Sequence, residues 1–557
     1  MTQRTSIIIH FTHSSGFVSK LLLLLSLFLA SHALSFSQAS STTNNTISTT
    51  AVLHTMKKAT RFMMEKVSYK GGFVWSYMPD FSRRWGEMEA YPSMIWIQAP
   101  GTASVGHVLL DAFHATNDDY YLKAAMEVAS ALIAAQHPSG GWNYFHDFNG
   151  VSSVKDWHKT IGANGWRLEE FHHYSPNATF DDGCTIEAAT LLLRLFVANN
   201  NQFIKTALDQ SIAFVLNSQY TNGGWPQRFP IPKNSNRDLK YTANITFNDD
   251  VAVKNILFLI LCYNEFGDDR LLQAIEKGMD SYVSLQLPKP QPAWALQYSP
   301  QGKPAAARSY EPACLSTKIT ENNIYQLMYF YGLTGDKKFL ARVPEAIDWL
   351  DELQLPDSMI HDNRTHPAYI ELKTNKALYI HRIGSNACNG KYYCDYIPKK
   401  TLSHYGSTRT IDVKNMRKSY NKLISSNPDL ITANSVLKNK MDLPLYFSRR
   451  NEKLSDLNSR EYPYMEANTE NVTMLLRCIN SEGYWPTNLK GQSNPYIGKA
   501  QKKGGSGDYC ISSVGDKYDT SPFLINDTET KGISTGVFVK NMNLLIEFIL
   551  SQNNTNP

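Results

Sequence analysis

The hydrophobic pattern of the chain contains a unit that recurs at least four times. Four segments begin with Asn, Gly or Asp, continue with apolar residues at helical spacing and end in Gln; they span residues 115–136, 198–219, 265–286 and 333–354. Other segments are more uniformly apolar and alternate with them, at residues 102–115, 184–198, 251–266 and 320–333. An amphipathic pattern is typical of a surface helix, and an apolar one of a helix packed on all sides. The unit is therefore predicted to be a pair of an outer and an inner helix.

The predicted outer helices run into loops with a glycine–tryptophan signature. QHPSGGW spans residues 136–142, and SQYTNGGWPQRFP spans residues 218–230. A glycine in the left-handed conformation ends a helix, and long loops rich in Gly, Pro, Trp and Tyr are usually functional. Repeated helix pairs stack into an open solenoid or close into a ring. Because the long loops favour a site at one mouth of a ring, we predict an all-α fold, an (α/α) toroid.

The N-terminal residues are typical of an exported protein. A short apolar run, LLLLLSLFLA, follows Lys20 and precedes small residues, which predicts a signal peptide over residues 1–33. A Ser/Thr-rich stretch predicts a linker over residues 34–52, and residues 53–557 are predicted to form a single toroid. We expect a secreted, extracellular monomer without a membrane segment after cleavage.

Charge and sequons narrow the possible partners. The net charge is +5, and two leader cations, Arg4 and Lys20, reduce it to 5 − 2 = +3 in the mature chain. This mild balance argues against nucleic acid as a partner. Sequons that fit a glycosylated protein occur at Asn44, Asn177, Asn244, Asn363, Asn471, Asn526 and Asn553. We expect the sequon at Asn244 to be unused, because a glycan there would obstruct the cleft.

The cysteines do not form a disulfide framework in so long a chain. Cys184 and Cys262 fall in apolar helical segments and are predicted to be buried free thiols. Cys388 and Cys394 could close a small loop.

Charged residues recur just before the inner helices. Asp181 lies before the inner helix that begins near residue 184, and Asp249 lies 68 residues later, before the next one. Arg308 and Glu311 precede the third. Parallel inner helices would bring these side chains to one mouth of the toroid. An aspartate at a helix start is often only a cap, but two carboxylates and a guanidinium at matching positions favour a hard cation and an acidic sugar.

These motifs resemble a known enzyme family. TNGGWPQRFP followed by ITFND, FDDGCT before an inner helix, and ARSYE at residues 307–311 occur in the order seen in family 10 polysaccharide lyases, the pectate lyases. The resemblance is clearest over residues 175–345, and the lyase-like core is expected over about residues 175–420, with an extra N-terminal hairpin and a C-terminal helical extension.

The resemblance implies calcium-assisted anti-β-elimination of α-1,4-polygalacturonate, which gives 4,5-unsaturated oligogalacturonides. The family's base carries over to Arg308, and its Ca²⁺-binding aspartates carry over to Asp181 and Asp249. Substrate contacts are expected from Arg382, Trp225, Asn248 and Tyr241. Arg382 lies in residues 377–396, which differ from the W-A-R-F-Y-E segment of the family.

Two other functions fit the same residues. A non-catalytic relative could bind acidic polysaccharide without cleaving it. An α/α-toroid glycoside hydrolase could instead use Asp181 and Asp249 as acid and base.

Overall fold

Fourteen α-helices make up most of the regular structure in the part of the chain that the computed structural model describes. The described residues are 47–162, 170–232, 237–383, 391–402, 407–443, 446, 459, 462, 465–489, 491–492, 523–524 and 531–553. The helices are α1 Thr49–Phe62, α2 Thr102–Thr116, α3 Asp119–Ala135, α4 Val151–Lys159, α5 Cys184–Asn199, α6 Gln202–Ser218, α7 Val251–Phe266, α8 Asp269–Ser284, α9 Thr317–Thr334, α10 Val343–Glu352, α11 Val413–Ile424, α12 Pro428–Thr432, α13 Thr469–Cys478 and α14 Thr535–Asn553.

Four of the predicted helix pairs are confirmed: α2–α3, α5–α6, α7–α8 and α9–α10. Each pair turns on two residues, a left-handed C-cap followed by an Asp or Asn; these are Asn117–Asp118, Asn200–Asn201, Gly267–Asp268 and Gly335–Asp336. The second residue accepts a hydrogen bond from the backbone of the next helical turn, which satisfies one of the N–H groups that a helix start leaves without a partner. The recurring dipeptide therefore makes the helices antiparallel neighbours.

The inner helices are buried and the outer helices are amphipathic, as the pattern predicted. α2, α5 and α7 are neighbours, and α14 packs against α2. The predicted (α/α) toroid is confirmed, with α1 packed against α14 so that the two ends of the described chain meet. α14 is buried along most of its length and is an inner helix. Helix α1 begins at Thr49, so the linker predicted over residues 34–52 extends too far.

Short antiparallel strands decorate the loops. They are β1 Ser76–Tyr77, β2 Arg84–Trp85, β3 Met94–Trp96, β4 Phe145–Asp147, β5 Ala178–Thr179, β6 Arg228–Phe229, β7 Ile245–Thr246, β8 Gln297–Tyr298, β9 Pro304–Ala305, β10 Leu315–Ser316, β11 His366–Pro367, β12 Tyr369–Ile370, β13 Ala377–Ile383, β14 Lys391–Asp395, β15 Thr408–Arg409, β16 Thr487–Asn488, β17 Gly491–Gln492, β18 Phe523–Leu524 and β19 Lys531–Ser534. The sheets have the orders β16-β19-β1-β2, β10-β12-β13-β14, β7-β8-β9, β3-β4, β5-β6, β11-β15 and β17-β18.

These strands form a hydrogen-bonded ladder around one mouth of the toroid. Within a helix pair, the strand before the inner helix pairs with the strand after the outer helix: β3 with β4, β5 with β6, β7 with β8 and β10 with β12. Successive pairs are joined where a loop tryptophan accepts a backbone hydrogen bond from the next unit, as in Thr179 N to Trp142 O (2.7 Å) and Thr246 N to Trp225 O (3.0 Å). The ladder fixes the N-terminal ends of the inner helices relative to one another.

The glycine–tryptophan signature fastens each loop to its own outer helix. The indole Nε1 of Trp225 donates to Val215 O at 2.9 Å, and Trp142 donates in the same way to Leu132 O at 2.7 Å. Trp225 has no solvent-exposed surface. The glutamine at the end of the outer helix adds a second connection. Gln219 Nε2 donates to Gly223 O in its own loop and to Ala274 O in the next outer helix. The motif is thus a clamp between neighbouring repeats.

The glycines of this clamp are required by space as well as by conformation. Gly223 has φ +91°, and a Cβ at this position would lie 1.9 Å from Lys277 O of the adjacent outer helix. Gly267 also has positive φ, +65°, but a Cβ there would meet nothing within 4 Å.

We therefore expect Gly223→Ala to destabilise the protein much more than Gly267→Ala. The Gly267 variant incurs only the cost of a left-handed alanine, about 1–2 kcal/mol. The Gly223 variant adds a backbone clash and is expected to lose more than about 3 kcal/mol. Urea unfolding of both variants measures the difference, and equal losses would contradict the clamp.

Candidate functional site

Two equivalent acidic turns lie at the mouth of the toroid, at the start of α5 and of α7. Residues Asp181–Gly183 and Asn248–Asp250 each form a 3₁₀ turn, and the two turns contact each other. Asp182 (φ 50°, ψ 16°) and Asp249 (φ 53°, ψ 23°) share a left-handed conformation. The equivalent of Asp249 is therefore Asp182, and the equivalent of Asp181 is Asn248. The sequence spacing that paired Asp181 with Asp249 was wrong by one residue, although both side chains reach the site.

Arg308 lies beneath these turns and joins them to the loop before α9. Its guanidinium Nη2 donates to Asp181 Oδ2 at 2.8 Å, and Nη1 donates to Glu311 Oε1 at 3.2 Å. Nε donates to Glu170 Oε1 at 2.5 Å, and Nη1 lies 3.7 Å from Asp249 Oδ2. Only 2% of the Arg308 side chain is exposed. The structure thus brings the predicted base and both predicted metal ligands into one cluster.

Tyr144 and Glu170 belong to this cluster but were not predicted from the sequence. The hydroxyl of Tyr144 donates to Asp181 Oδ2, so that this oxygen serves both Tyr144 and Arg308. Tyr144 follows Trp142 by two residues, and this fixed offset from the clamp was a signal that could have found it. Glu170 lies on an irregular segment, and nothing in the sequence pattern around it predicts that it contacts Arg308.

The ionic state of the cluster follows from its burial and its charges. Burial favours neutral Arg308, but the carboxylates of Glu170, Glu311 and Asp181 outweigh burial and raise the pKa of Arg308 well above its ordinary value. Partial burial, together with the carboxylates of Asp181 and Asp182, raises the pKa of Asp249 well above its ordinary value. Arg308 is therefore a firmly protonated cation in this state, and the carboxylates of the two turns repel one another.

Asp249 is the most accessible acid of the cluster, with 37% of its side chain exposed. Asn248 supports it, because Asn248 Nδ2 donates to Asp249 Oδ2 at 2.8 Å while Asn248 Oδ1 accepts from Gln297 Nε2 at 3.2 Å. Asp182 is held in a similar way from the preceding repeat, since Gln98 Nε2 donates to Asp182 Oδ2 at 2.8 Å. Asp182 and Gln98 were not predicted as site residues.

Three of the predicted substrate contacts, Trp225, Tyr241 and Asn248, are buried in the structure. Trp225 is fully buried in the clamp, so the prediction that it contacts substrate is wrong; its surface is used by the core. Tyr241 is also buried, in the 3₁₀ turn Arg237–Ala243. Asn248 is 7% exposed and acts on Asp249.

Arg382 lies on β13 and is connected to the cluster through two tyrosines. It is paired in register with Tyr392 on β14, whose ring lies 5.4 Å from that of Tyr310, next to the Arg308 turn. The Nε and Nη2 atoms of Arg382 are buried and have no hydrogen-bond partner. A guanidinium with buried, unsatisfied donors is unusual, and an anion is the ligand that would satisfy it.

The two turns place several carboxylate oxygens next to one another. No group of three or more His, Cys, Asp or Glu side chains in the described residues is arranged to hold a metal ion. The aspartates of the two turns nevertheless offer oxygen atoms, which are the ligands that a hard divalent cation takes when a bound ligand completes its oxygen shell.

The remaining sequence predictions concern cysteines and sequons. Cys184 and Cys262 are buried free thiols, as predicted. Cys388 lies outside the described residues.

Two of the asparagines in predicted sequons form hydrogen bonds in the structure. Asn177 is 6% exposed and donates to Pro230 O, and Asn244 donates to Gln297 Oε1 and Ala306 O. None of the described helices has the length and apolar character needed to cross a bilayer.

Removal of the Arg308 charge is expected to destabilise the protein in a pH-dependent way. In Arg308→Ala, three buried carboxylates lose their counter-charge, at a cost of about 3–5 kcal/mol near pH 8. Burial already raises the pKa of Glu311, and the variant loses the guanidinium that lowers it, so the folded state binds this proton more tightly and the contribution is lost as pH rises. The deficit in unfolding free energy should therefore be smaller at pH 5 than at pH 8.

Urea unfolding of wild type and variant at both pH values measures this deficit. Arg270→Ala is the control, because Arg270 forms an exposed pair with Asp268 and should change stability little at either pH. A deficit that is equal at pH 5 and pH 8 would contradict the buried ionic cluster.

Comparison with known proteins agrees with the motifs. Residues 152–380 match the family described as pectic acid lyase. No curated protein matches the chain. A family 10 polysaccharide lyase from Cellvibrio cellulosa, solved with trigalacturonic acid, shares 17% identity over 58% of this chain and 98% of its own, with a TM-score of 0.37. An α-1,6-mannanase from Salegentibacter sp. shares 11% identity over 90% of this chain and 99% of its own, with a TM-score of 0.34.

The family match coincides with the part of the chain that supplies most of the cluster. Glu170, both acidic turns, Arg308 and Glu311 all lie within residues 152–380. The resemblance found in the sequence is confirmed over residues 152–380, the segment that matches the pectic acid lyase family.

Proposed function

We propose that the protein is a secreted pectate lyase that cleaves α-1,4-polygalacturonate by anti-β-elimination, with Arg308 as the base and calcium bound at Asp181 and Asp249. The family match supports the lyase class, and the site chemistry supports the finer assignment. Abstraction of the C5 proton would be followed by departure of O4, leaving a 4,5-double bond. The products would be unsaturated oligogalacturonides.

Two buried donor atoms of Arg382, Nε and Nη2, have no hydrogen-bond partner, and this observation carries the choice of an acidic substrate. Buried polar groups are normally satisfied, because an unmade hydrogen bond costs about 1–3 kcal/mol, and more for a charged group. Arg382 nevertheless keeps two buried donors unsatisfied. A uronate carboxylate matches these donors in charge and in planar geometry. The free energy missing in the free protein would then be recovered when substrate binds.

Calcium would occupy the two acidic turns together with the substrate. Asp249 offers exposed oxygens, and Asp181 faces it from the neighbouring turn. A bound calcium would supply a positive charge that holds the uronate carboxylate and acidifies the adjacent C–H. Asp182 is a further oxygen donor on the same turn as Asp181.

The ion pairs of Arg308 determine when this residue could act as a base. While Glu170, Glu311 and Asp181 contact the guanidinium, its pKa is raised and it retains its proton. A base role requires those contacts to weaken once substrate is bound. When a bound cation neutralises Asp181, one of the carboxylates that stabilise protonated Arg308 is lost and the pKa of Arg308 falls. The same cation would therefore contribute to preparing both the substrate and the base, together with a weakening of the contacts with Glu170 and Glu311.

The carboxylate cage of Arg308 also favours a second candidate function. If the cage persists in the complex, Arg308 remains protonated and the protein binds acidic polysaccharide without cleaving it. A hydrolase is less well supported, because Arg308 and Tyr144 both donate to Asp181 Oδ2 and favour a charged carboxylate that accepts hydrogen bonds over a general acid.

The direct test is the ultraviolet absorbance of polygalacturonate incubated with the purified protein, with and without EDTA. A rise that EDTA abolishes is expected, because the 4,5-double bond is conjugated with the carboxylate. New reducing ends without this absorbance would indicate hydrolysis, and binding without turnover would indicate the non-catalytic relative.

Arg308→Lys is expected to lower kcat by at least about 100-fold, because lysine keeps the charge needed by the carboxylates but not the position of the base. Binding of oligogalacturonate, measured by calorimetry, should persist. If Arg308→Lys kept the wild-type kcat, Arg308 would not be the base.

Arg382→Met is expected to raise KM for polygalacturonate by about 10-fold or more, because a charged hydrogen bond contributes about 1.5–3 kcal/mol. Its unfolding free energy should be unchanged or higher, since the substitution removes buried donors that have no partner. Arg417→Met is the matched control, because Arg417 forms a half-exposed pair with Asp348. An Arg382 variant that loses stability with unchanged KM would contradict substrate binding.

A further inference from the structure

We propose that Gln98 is a positioning residue of the lyase site, contributed by the first helix pair, outside the family-matching segment. Its amide would hold Asp182 in the orientation used for calcium binding. This inference rests on the proposed function, because it assigns a task to Asp182 in the calcium and substrate site.

The orientation of the Gln98 amide is fixed by the indole N–H of Trp96, which can only donate and therefore selects the amide oxygen of Gln98. The indole Nε1 of Trp96 donates to Gln98 Oε1 at 3.0 Å, and an indole N–H cannot accept a hydrogen bond. The amide nitrogen must therefore face the opposite side. There it donates to Asp182 Oδ2 at 2.8 Å and to Glu87 Oε2 at 3.2 Å. Since Gln98 is 1% exposed, water does not compete for these contacts.

Gln98 occupies the same place in its repeat as two residues already in the site. The backbone N–H groups of Ile97, Phe180 and Phe247 each bond to the residue two positions after a loop tryptophan or its equivalent, namely Tyr144, Gln227 and Leu296. The residues that follow them are Gln98, Asp181 and Asn248. The ladder thus carries all three side chains to the mouth at equivalent positions.

The two left-handed aspartates receive the same kind of support. Asp249 accepts from the Asn248 amide within its own turn, and Asp182 accepts from the Gln98 amide of the preceding repeat. A neutral amide orients a carboxylate through a hydrogen bond and adds no opposing charge of its own, so this support is compatible with cation binding by Asp182 and Asp249. Residues that orient a metal ligand by hydrogen bonding commonly affect metal affinity by 10–100-fold.

A double-mutant cycle between Gln98 and Asp182 tests the proposal. Gln98→Met keeps the side-chain length but removes the amide, and Asp182→Gly deletes the carboxylate at a position whose positive φ glycine accepts. Calcium binding to chelator-treated full-length protein is measured by calorimetry, and kcat/KM by absorbance. We expect Gln98→Met to weaken calcium binding about 10-fold in the wild-type background and to have no further effect in Asp182→Gly.

The proposal would be overturned if Gln98→Met weakened calcium binding equally in the wild-type and the Asp182→Gly protein, because a purely structural role of Gln98 does not depend on Asp182. It would also be overturned if Gln98→Met left calcium affinity unchanged. If Gln98→Met does not fold, Gln98→Glu replaces it, because its carboxylate still accepts from Trp96. That variant places a like charge against Asp182 and is expected to lower kcat/KM about 10-fold or more; wild-type activity would overturn the proposal. If wild-type protein fails to cleave polygalacturonate, the proposed function fails first, and the two failures remain distinct.

Discussion

The buried guanidinium of Arg308 is the constraint on which the rest of the site depends. A buried cation is tolerated only when carboxylates surround it, and here these come from three separate parts of the chain: Glu170, Asp181 and Glu311. They meet only because the toroid places the starts of its inner helices at one mouth. The cluster is therefore both a structural junction between repeats and the chemical centre of the site. Its cost is that Arg308 is held protonated until the charges around it change.

The loop motif makes this junction possible. In two of the four repeats a terminal glutamine, a positive-φ glycine and a buried tryptophan fasten the loop to its own outer helix and to the next one. Backbone hydrogen bonds then join successive loops into a ladder around the mouth. A site built on such a frame is rigid although it lies on loops. The side chains that leave the frame at equivalent positions, such as Gln98, Asp181 and Asn248, can then diverge in chemistry without moving in space.

Stability and function are in tension at several positions. Arg382 keeps buried donors without a partner, and two aspartates face one another across neighbouring turns. Each arrangement costs free energy in the free protein and would be relieved by an anionic ligand or a cation. The proposed substrate, a polysaccharide whose every unit carries a carboxylate, would supply the anion, and the proposed calcium would supply the cation. The unsatisfied groups therefore point to the same ligand chemistry as the family match, by an independent physical route.

The sequence by itself determined the helix pairs, their inner and outer faces and the resemblance to the lyase family, because these follow from local periodicity, turn dipeptides and short motifs. It also placed Arg308, Asp181 and Asp249 at the site. Only the tertiary structure decided the register of the acidic turns, since left-handed φ at Asp182 and Asp249 is not visible in the spacing. Only the tertiary structure showed that Trp225 lies in the core and does not contact substrate, and that Glu170, Tyr144 and Gln98 contact the cluster. Those contacts join residues far apart in the chain, and no local pattern encodes which distant partner a buried charge or amide will meet.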